Sequence, residues 1–205
     1  MLREKGAEVR FVPIDITDDA SIEQAAAWVK SEYGHIDVLV NNAGIVGAAA
    51  NTLPSRTTRN DLRLLYETNV FAVVAVTNAF LPLLRASSSA RIVNVSSEVG
   101  SLTMVSDSKS PLFQLGDLAY AASKASVNMV TVIYAKELRD AGIKVNASIP
   151  GYCATDLNDH TGFRSATQEA SVSAALATLP DEGPTGMAWG YLTGNEQDVN
   201  QIMPW

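Results

Sequence analysis

A single cysteine, Cys153, stands in a chain of 205 residues. No internal disulfide can form, which suits a reducing compartment and leaves pairing between molecules open. Histidine is almost as scarce. His35 and His160 lie far apart, and no group of Cys, His and carboxylates has metal-ligand spacing, so no metal site is expected. Positive charge is also in deficit: 15 Lys and Arg against 22 Asp and Glu give a formal net charge of -7. Recognition of a phosphate backbone needs the opposite balance, so no nucleic-acid partner is expected. The amino terminus is charged rather than apolar, and no segment reads as uniformly apolar enough to span a bilayer. These absences predict a cytoplasmic protein with no membrane partner.

What is present is core-forming material, since 47% hydrophobic residues in a chain of this length can fill one large core. Glu8 to Ile14 reads as a buried strand stopped by Asp15. Thr17, Asp18 and Asp19 offer caps for a helix from Ala20 to Glu32 that ends near Gly34. Ile36 to Val40 is a second strand, stopped by Asn41-Asn-Ala-Gly44. Leu62, Leu65, Ala72 and Val76 recur at helical spacing, which predicts a long helix from about Arg59 to Leu84. Arg91 to Val95 is a third strand, Leu118 to Arg139 a long helix, and Ile143 to Ile149 a fourth strand closed by Pro150-Gly151. The Trp189 region suggests a last strand. Strand and helix alternate, so the expected architecture is α/β, a parallel sheet with helices on both faces.

Tyr120 and Lys124 are four apart on a predicted helix and therefore share a face. A phenol with an ordinary pKa of about 10 is a poor acid or base at neutral pH, and a neighbouring ammonium should lower that value. Such a pair makes a general acid/base for a carbonyl and alcohol couple. A solvated helix edge would use the same two residues. Ser96 and Ser97 end a strand at the carboxyl edge of the sheet, where open α/β folds place their sites, although a strand-ending turn has the same composition. Asn69 interrupts the apolar stripe of its helix, seven residues after Leu62 and seven before Val76, and a buried amide needs partners. Tying down a loop is the bland alternative for it.

Taken in order, Asp15-Ile-Thr-Asp18, Asn41-Asn-Ala-Gly44, Asn69, Ser97-x-x-Gly100, Tyr120-x-x-x-Lys124 and Pro150-Gly-Tyr-Cys-Ala-Thr155 resemble the short-chain dehydrogenase/reductase family. Gly183-Pro-Thr-Gly186 and the closing Pro204-Trp205 resemble its carbonyl-reductase-like members, which suggests a complete carboxyl end. The resemblance implies one Rossmann-like, doubly wound dinucleotide-binding domain over residues 1–205 that also carries the catalytic residues. It implies hydride transfer between NADP(H), ahead of NAD(H), and a small-molecule carbonyl or alcohol substrate. Tyr120 is then the general acid/base, Lys124 lowers its pKa and holds the nicotinamide ribose, Ser97 orients the substrate oxygen, and Asn69 supports a water on the proton path. Asp15 and Ile16 would lie near the adenine, Asn42, Ala43 and Gly44 along the ribose, and Pro150, Gly151, Cys153 and Thr155 around the nicotinamide.

The front of the chain departs from the family. Members open with a strand, a Thr-Gly-x-x-x-Gly-x-Gly loop, a helix and a second strand, and none of the glycines here reproduces that loop. The domain therefore reads as incomplete, missing its first two strands and first helix, and with them the backbone grip on the pyrophosphate. Three readings follow: a truncated oxidoreductase, an inactive Rossmann-like interaction module, or an enzyme completed by a separate fragment. The Ile36 to Val40 strand should expose an apolar edge, so association is expected of these 205 residues. The segment between Ser97 and Tyr120 is longer than the family's usual spacing. Its polar part, Ser106 to Pro111, suits a loop, while Leu112, Phe113 and Leu115 could cover the outer face of the helix bearing Tyr120 and keep a completed chain monomeric.

Overall fold

The computed structural model describes residues 6–47, 53–193 and 201–205. Helix α1 (Asp19–Tyr33) starts where the Asp18 carboxylate accepts the Ala20 N–H at 3.0 Å, and it stops at Gly34, whose φ of 74° no continuing helix can use. Strand β1 (Val38–Asn41) follows. Helix α2 (Arg59–Tyr66) is opened by a capping box between Thr58 and Asp61 and runs through one widened turn, Glu67–Phe71, into α3 (Ala72–Arg85). The remaining elements are β2 (Arg91–Val95), α4 (Leu102–Ser106), α5 (Leu118–Glu137), β3 (Lys144–Ile149), α6 (Ala166–Ala177), β4 (Ala188–Gly190) and β5 (Gln201–Met203).

The sheet order is β1-β2-β3-β4-β5, with the first four strands parallel and β5 antiparallel to β4. Alternation along the strands sorts the layers. Ile92 and Val145 bury against Leu84, Ala135 and Leu138, placing α3 and α5 on one face. Helix α1 joins them there through Ile22 and Ala25, which pack on Val76, Phe80 and Leu83. On the opposite face the Ser148 hydroxyl meets that of Ser173 at 2.9 Å, beneath α6, whose Val172 and Leu176 are buried. Helices thus cover both faces, as a Rossmann-like sheet requires.

Four expectations need correction. Glu8 to Ile14 is not a strand. An extended segment becomes one only by pairing, and among the described residues no strand flanks it: Phe11 is exposed, and Val12 packs beside the α1–α3 cluster instead. The stretch Arg59–Arg85 does have the length and composition to cross a membrane. Its apolar face is occupied by the core of the domain, where Leu65, Val70, Val76, Phe80 and Leu84 are buried. The closing antiparallel strand β5 had no signal in the pattern of the chain. Finally, Leu112 is buried, but Phe113 and Leu115 are exposed and Met129 and Ile133 of α5 remain exposed too, so the Leu102 to Gly116 segment does not cover that part of the helix.

Candidate active site

Helix α5 sets the frame. Tyr120 and Lys124 share one face of it, the Lys124 nitrogen lying 5.6 Å from the centre of the Tyr120 ring. That nitrogen donates to the Val95 carbonyl at 2.9 Å, which anchors the helix to the carboxyl end of β2. Two residues later the same strand end delivers Ser97, whose side chain acts on the Tyr120 phenol and favours its ionised form. The Ser97 oxygen also accepts the Val99 N–H at 3.4 Å and so caps the short turn Glu98–Gly100.

Asn69 occupies the centre of the widened turn between α2 and α3. Such a turn inserts one extra residue per hydrogen-bonded ring and re-aims the side chain it carries. The amide is buried and well used. Its Oδ1 accepts the Ile45 N–H at 2.9 Å, and its Nδ2 donates to the Ile45 carbonyl at 2.9 Å and to the Ser123 hydroxyl at 3.0 Å. Asn69 therefore clamps the loop after β1 onto α5. Gly44 in that loop passes so close that an added Cβ would lie 3.3 Å from Asn69 Oδ1 and 3.7 Å from the Lys124 nitrogen.

Burial dominates the electrostatics of the pair. It pushes Tyr120 up to about 12; the Ser97 side chain opposes this, while the charges of Asp117 and Glu169 add to it. Burial also brings Lys124 down to about 8, with Glu169 pulling the other way. The direction for Tyr120 is the reverse of that expected from its spacing to Lys124. The reason is physical: the ammonium sits over the ring rather than at the hydroxyl, and the cost of desolvating a phenolate is larger than any stabilisation that cation gives.

Among the other expected cofactor residues, Gly44 reaches this group, with Asn42 and Ala43 exposed just before it. Pro150 is buried, and Gly151 at φ 79° lies where a Cβ would meet the Tyr191 ring at 2.6 Å. The Cys153 thiol is buried, donates to the Pro150 carbonyl at 3.4 Å and is raised by its burial, with the nearby Arg164 guanidinium acting against that. Thr155 forms a capping box with Asn158 at the turn that follows. Asp15 and Ile16 are not tied to the Tyr120 group. The Asp15 carboxylate, exposed, is spent on the Thr17 N–H and hydroxyl at 2.9 and 2.7 Å, and Ile16 packs into the α1–α3 cluster.

The site also contains residues that the sequence did not single out. Ser123 binds Asn69, Glu169 acts on Tyr120, Lys124 and Cys153 from α6, and Arg164 stacks on Tyr191 at 4.1 Å with Nε and Nη2 buried and without a hydrogen-bond partner among the described residues. Asn128 had a signal, since it follows Lys124 by four residues on α5. Arg164 and Glu169 had none, because only the return of α6 across the sheet brings them near β3 and α5.

Residues 1–164 match the family model described as short chain dehydrogenase. The chain belongs to that family. It is 36% identical over 194 residues to a short-chain dehydrogenase of Penicillium roqueforti, covering 92% of this chain and 74% of the relative. It is 33% identical over 225 residues to a (+)-neomenthol dehydrogenase of Arabidopsis thaliana, covering 86% and 75%. The NADPH-bound carbonyl reductase from chicken fatty liver superposes with a TM-score of 0.77 at 30% identity, over all of this chain and 80% of that one. As a short-chain dehydrogenase the protein belongs to the nicotinamide-dependent oxidoreductases, whose cofactors are NAD(H) and NADP(H).

Proposed function

We propose that the protein reduces a small-molecule carbonyl compound with NADPH, or oxidises the alcohol in reverse, with Tyr120 as general acid/base. The observation that carries this reading is the Tyr120 phenol with the Ser97 side chain acting on it and the Lys124 ammonium one helical turn behind, 5.6 Å from the ring. The preference for the phosphorylated cofactor rests on the NADPH in the chicken carbonyl reductase.

The residues present fit the nicotinamide end of such a cofactor. Lys124 is 7% exposed and directs one of its donors to Val95, which leaves two for ribose hydroxyls. Gly44 lets the loop after β1 approach that ammonium closely, and Pro150, Gly151, Cys153 and Thr155 form the neighbouring loop. When bound, the reduced cofactor supplies the hydride. The chain's own residues handle the oxygen. Ser97 hydrogen-bonds the substrate carbonyl and orients it, Tyr120 passes its proton to the developing alkoxide, and Lys124 stabilises the phenolate that remains. Asn69, by fixing the Asn41 to Ile45 loop against α5, keeps the ribose side of the site in register and supports a water on the proton path.

The test is NADPH oxidation over a panel of cyclic and aromatic ketones. Tyr120→Phe should remove nearly all turnover while leaving NADPH affinity by calorimetry within about twofold, because it deletes the proton and keeps the ring. Near-normal turnover in that variant would take Tyr120 out of the role. A second reading, an inactive Rossmann-like interaction module, is favoured by the open edge of β1, where Val38 and Val40 are exposed on a strand paired on one side only among the described residues. Absence of both NADPH binding and turnover in the unaltered chain would favour it.

A further inference from the structure

The face of α5 that carries Tyr120 and Lys124 carries a third polar residue one turn further on, Asn128. Its Oδ1 accepts the Ser96 hydroxyl at 2.6 Å and its Nδ2 donates to the Gly100 carbonyl at 3.1 Å. Those two partners bracket Ser97: one precedes it, and the other closes the turn that Ser97 opens. Asn128 is 4% exposed and Ser96 2% exposed, so water does not compete for these bonds. Gly100 is pressed against the same helix. A Cβ there would lie 2.7 Å from the Lys124 carbonyl carbon and 2.9 Å from its oxygen, so the absence of a side chain is what allows the turn to seat.

The bonds Ser97 makes within its own turn are local and do not reach α5. Its hydroxyl accepts the Val99 N–H and its carbonyl accepts the Gly100 N–H at 3.0 Å. The strand end itself is held to β3 by the Ser96 N–H on the Ser148 carbonyl at 2.8 Å, and Glu98 is held by Thr193, whose N–H donates at 2.7 Å. Neither tie sets the spacing between the turn and the helix. The Ser96 hydroxyl has one proton, which the short bond to Asn128 takes in preference to the Lys124 carbonyl at 3.3 Å.

We propose that Asn128 is a positioning residue that locks the Ser97 turn onto the Tyr120 face of α5, so that the serine side chain is held beside the phenol. The proposal rests on the reading in which those two groups act on the substrate oxygen. An amide is the group the position demands, since it must accept from Ser96 and donate to Gly100 at once. A carboxylate would set two oxygens against each other at Gly100, and a leucine of similar volume would leave the Ser96 proton and the Gly100 carbonyl without this partner.

The test follows the Tyr120 Cζ resonance in protein labelled at tyrosine Cζ, assigned by its loss in Tyr120→Phe. Ser97→Ala gives its position without the serine partner. Asn128→Leu, folded by circular dichroism, should move the resonance most of the way to the Ser97→Ala position, and Ser96→Ala part of the way. In the turnover assay Asn128→Leu should lower kcat by about tenfold or more while KM for NADPH stays within about twofold, the split expected when reacting groups are misplaced and binding is not. A folded Asn128→Leu protein with the resonance at its unaltered position overturns the proposal. Where Asn128→Leu does not fold, Ser96→Ala decides alone, and an unmoved resonance overturns it. Turnover surviving Tyr120→Phe would instead remove the catalytic reading and leave the resonance shifts to judge the positioning.

Discussion

Lys124 is an ammonium held in the interior on the Val95 carbonyl, and burial brings its pKa to about 8. The sign of the consequence follows from proton counting. The folded state gives up the Lys124 proton near pH 8 while the unfolded chain keeps it until about 10.5, so the unfolded state binds more protons in that window and stability rises with pH across it. Between about pH 7 and about pH 9.5 this group alone should add about 2 kcal/mol. Lys124→Met should remove that rise and stabilise the protein near neutrality, at the expense of cofactor binding. Urea unfolding of both proteins at the two pH values measures it. An identical pH dependence in the two would show that the lysine is solvated. Tyr120 works in the opposite sense and later. Its folded value near 12 lies above the ordinary 10, so stability from it is present below pH 10 and declines as pH rises through the folded value. The same elevation keeps the phenol protonated through neutrality. Carbonyl reduction should therefore be flat with pH there, while alcohol oxidation, which needs a base, should climb with alkalinity.

At the scale of elements, the widened turn Glu67–Phe71 is the device that lets a polar side chain leave an apolar helix face without breaking the helix. Leu65, Val70 and Val76 stay in the core around it while Asn69 reaches the backbone of Ile45. Asn69→Leu should leave the Ile45 N–H and carbonyl unpaired in a part-buried site and cost roughly 2 kcal/mol. Urea unfolding would measure the loss, and a change below about 1 kcal/mol would mean that the loop finds other partners. The arrangement also explains how three separate elements converge. The loop after β1, the end of β2 and the start of α5 are each tied to the others by one buried polar side chain: Asn69, Lys124 or Asn128.

For the whole molecule, the open side of β1 is the feature with most consequence. Its backbone pairs with β2 on one side, and Val38 and Val40 are 39% and 40% exposed on the face away from Leu39. A flat apolar edge of this kind is a template for pairing with another chain. Light scattering of the 205-residue protein should show association that grows with concentration, and Val38→Lys should reduce it, since a charge on an edge strand opposes edge-to-edge pairing. Association unchanged by that substitution would move the contact elsewhere, with the exposed Met129 and Ile133 of α5 as the next surface to alter.

The alternation of strand and helix, the caps at Asp18 and Gly34, and the ordered series from Asn41 to Thr155 were legible because each is a local pattern. Hydrophobic period, capping chemistry and short spacings are properties of neighbouring residues, and they determined the architecture, the family and the group formed by Asn69, Ser97, Tyr120 and Lys124. Tertiary structure decided what depends on distant residues. It denied strand structure to Glu8 to Ile14, because a strand exists only through its neighbour, and it made Arg59–Arg85 a core helix rather than an exposed apolar rod. It reversed the expected direction for the Tyr120 phenol, because spacing along a helix gives proximity of charge but not the solvent removed by the rest of the fold. It also set Asn128 against the turn after β2 and brought Arg164 and Glu169 into the site, which needs the chain after β3 to return across the sheet.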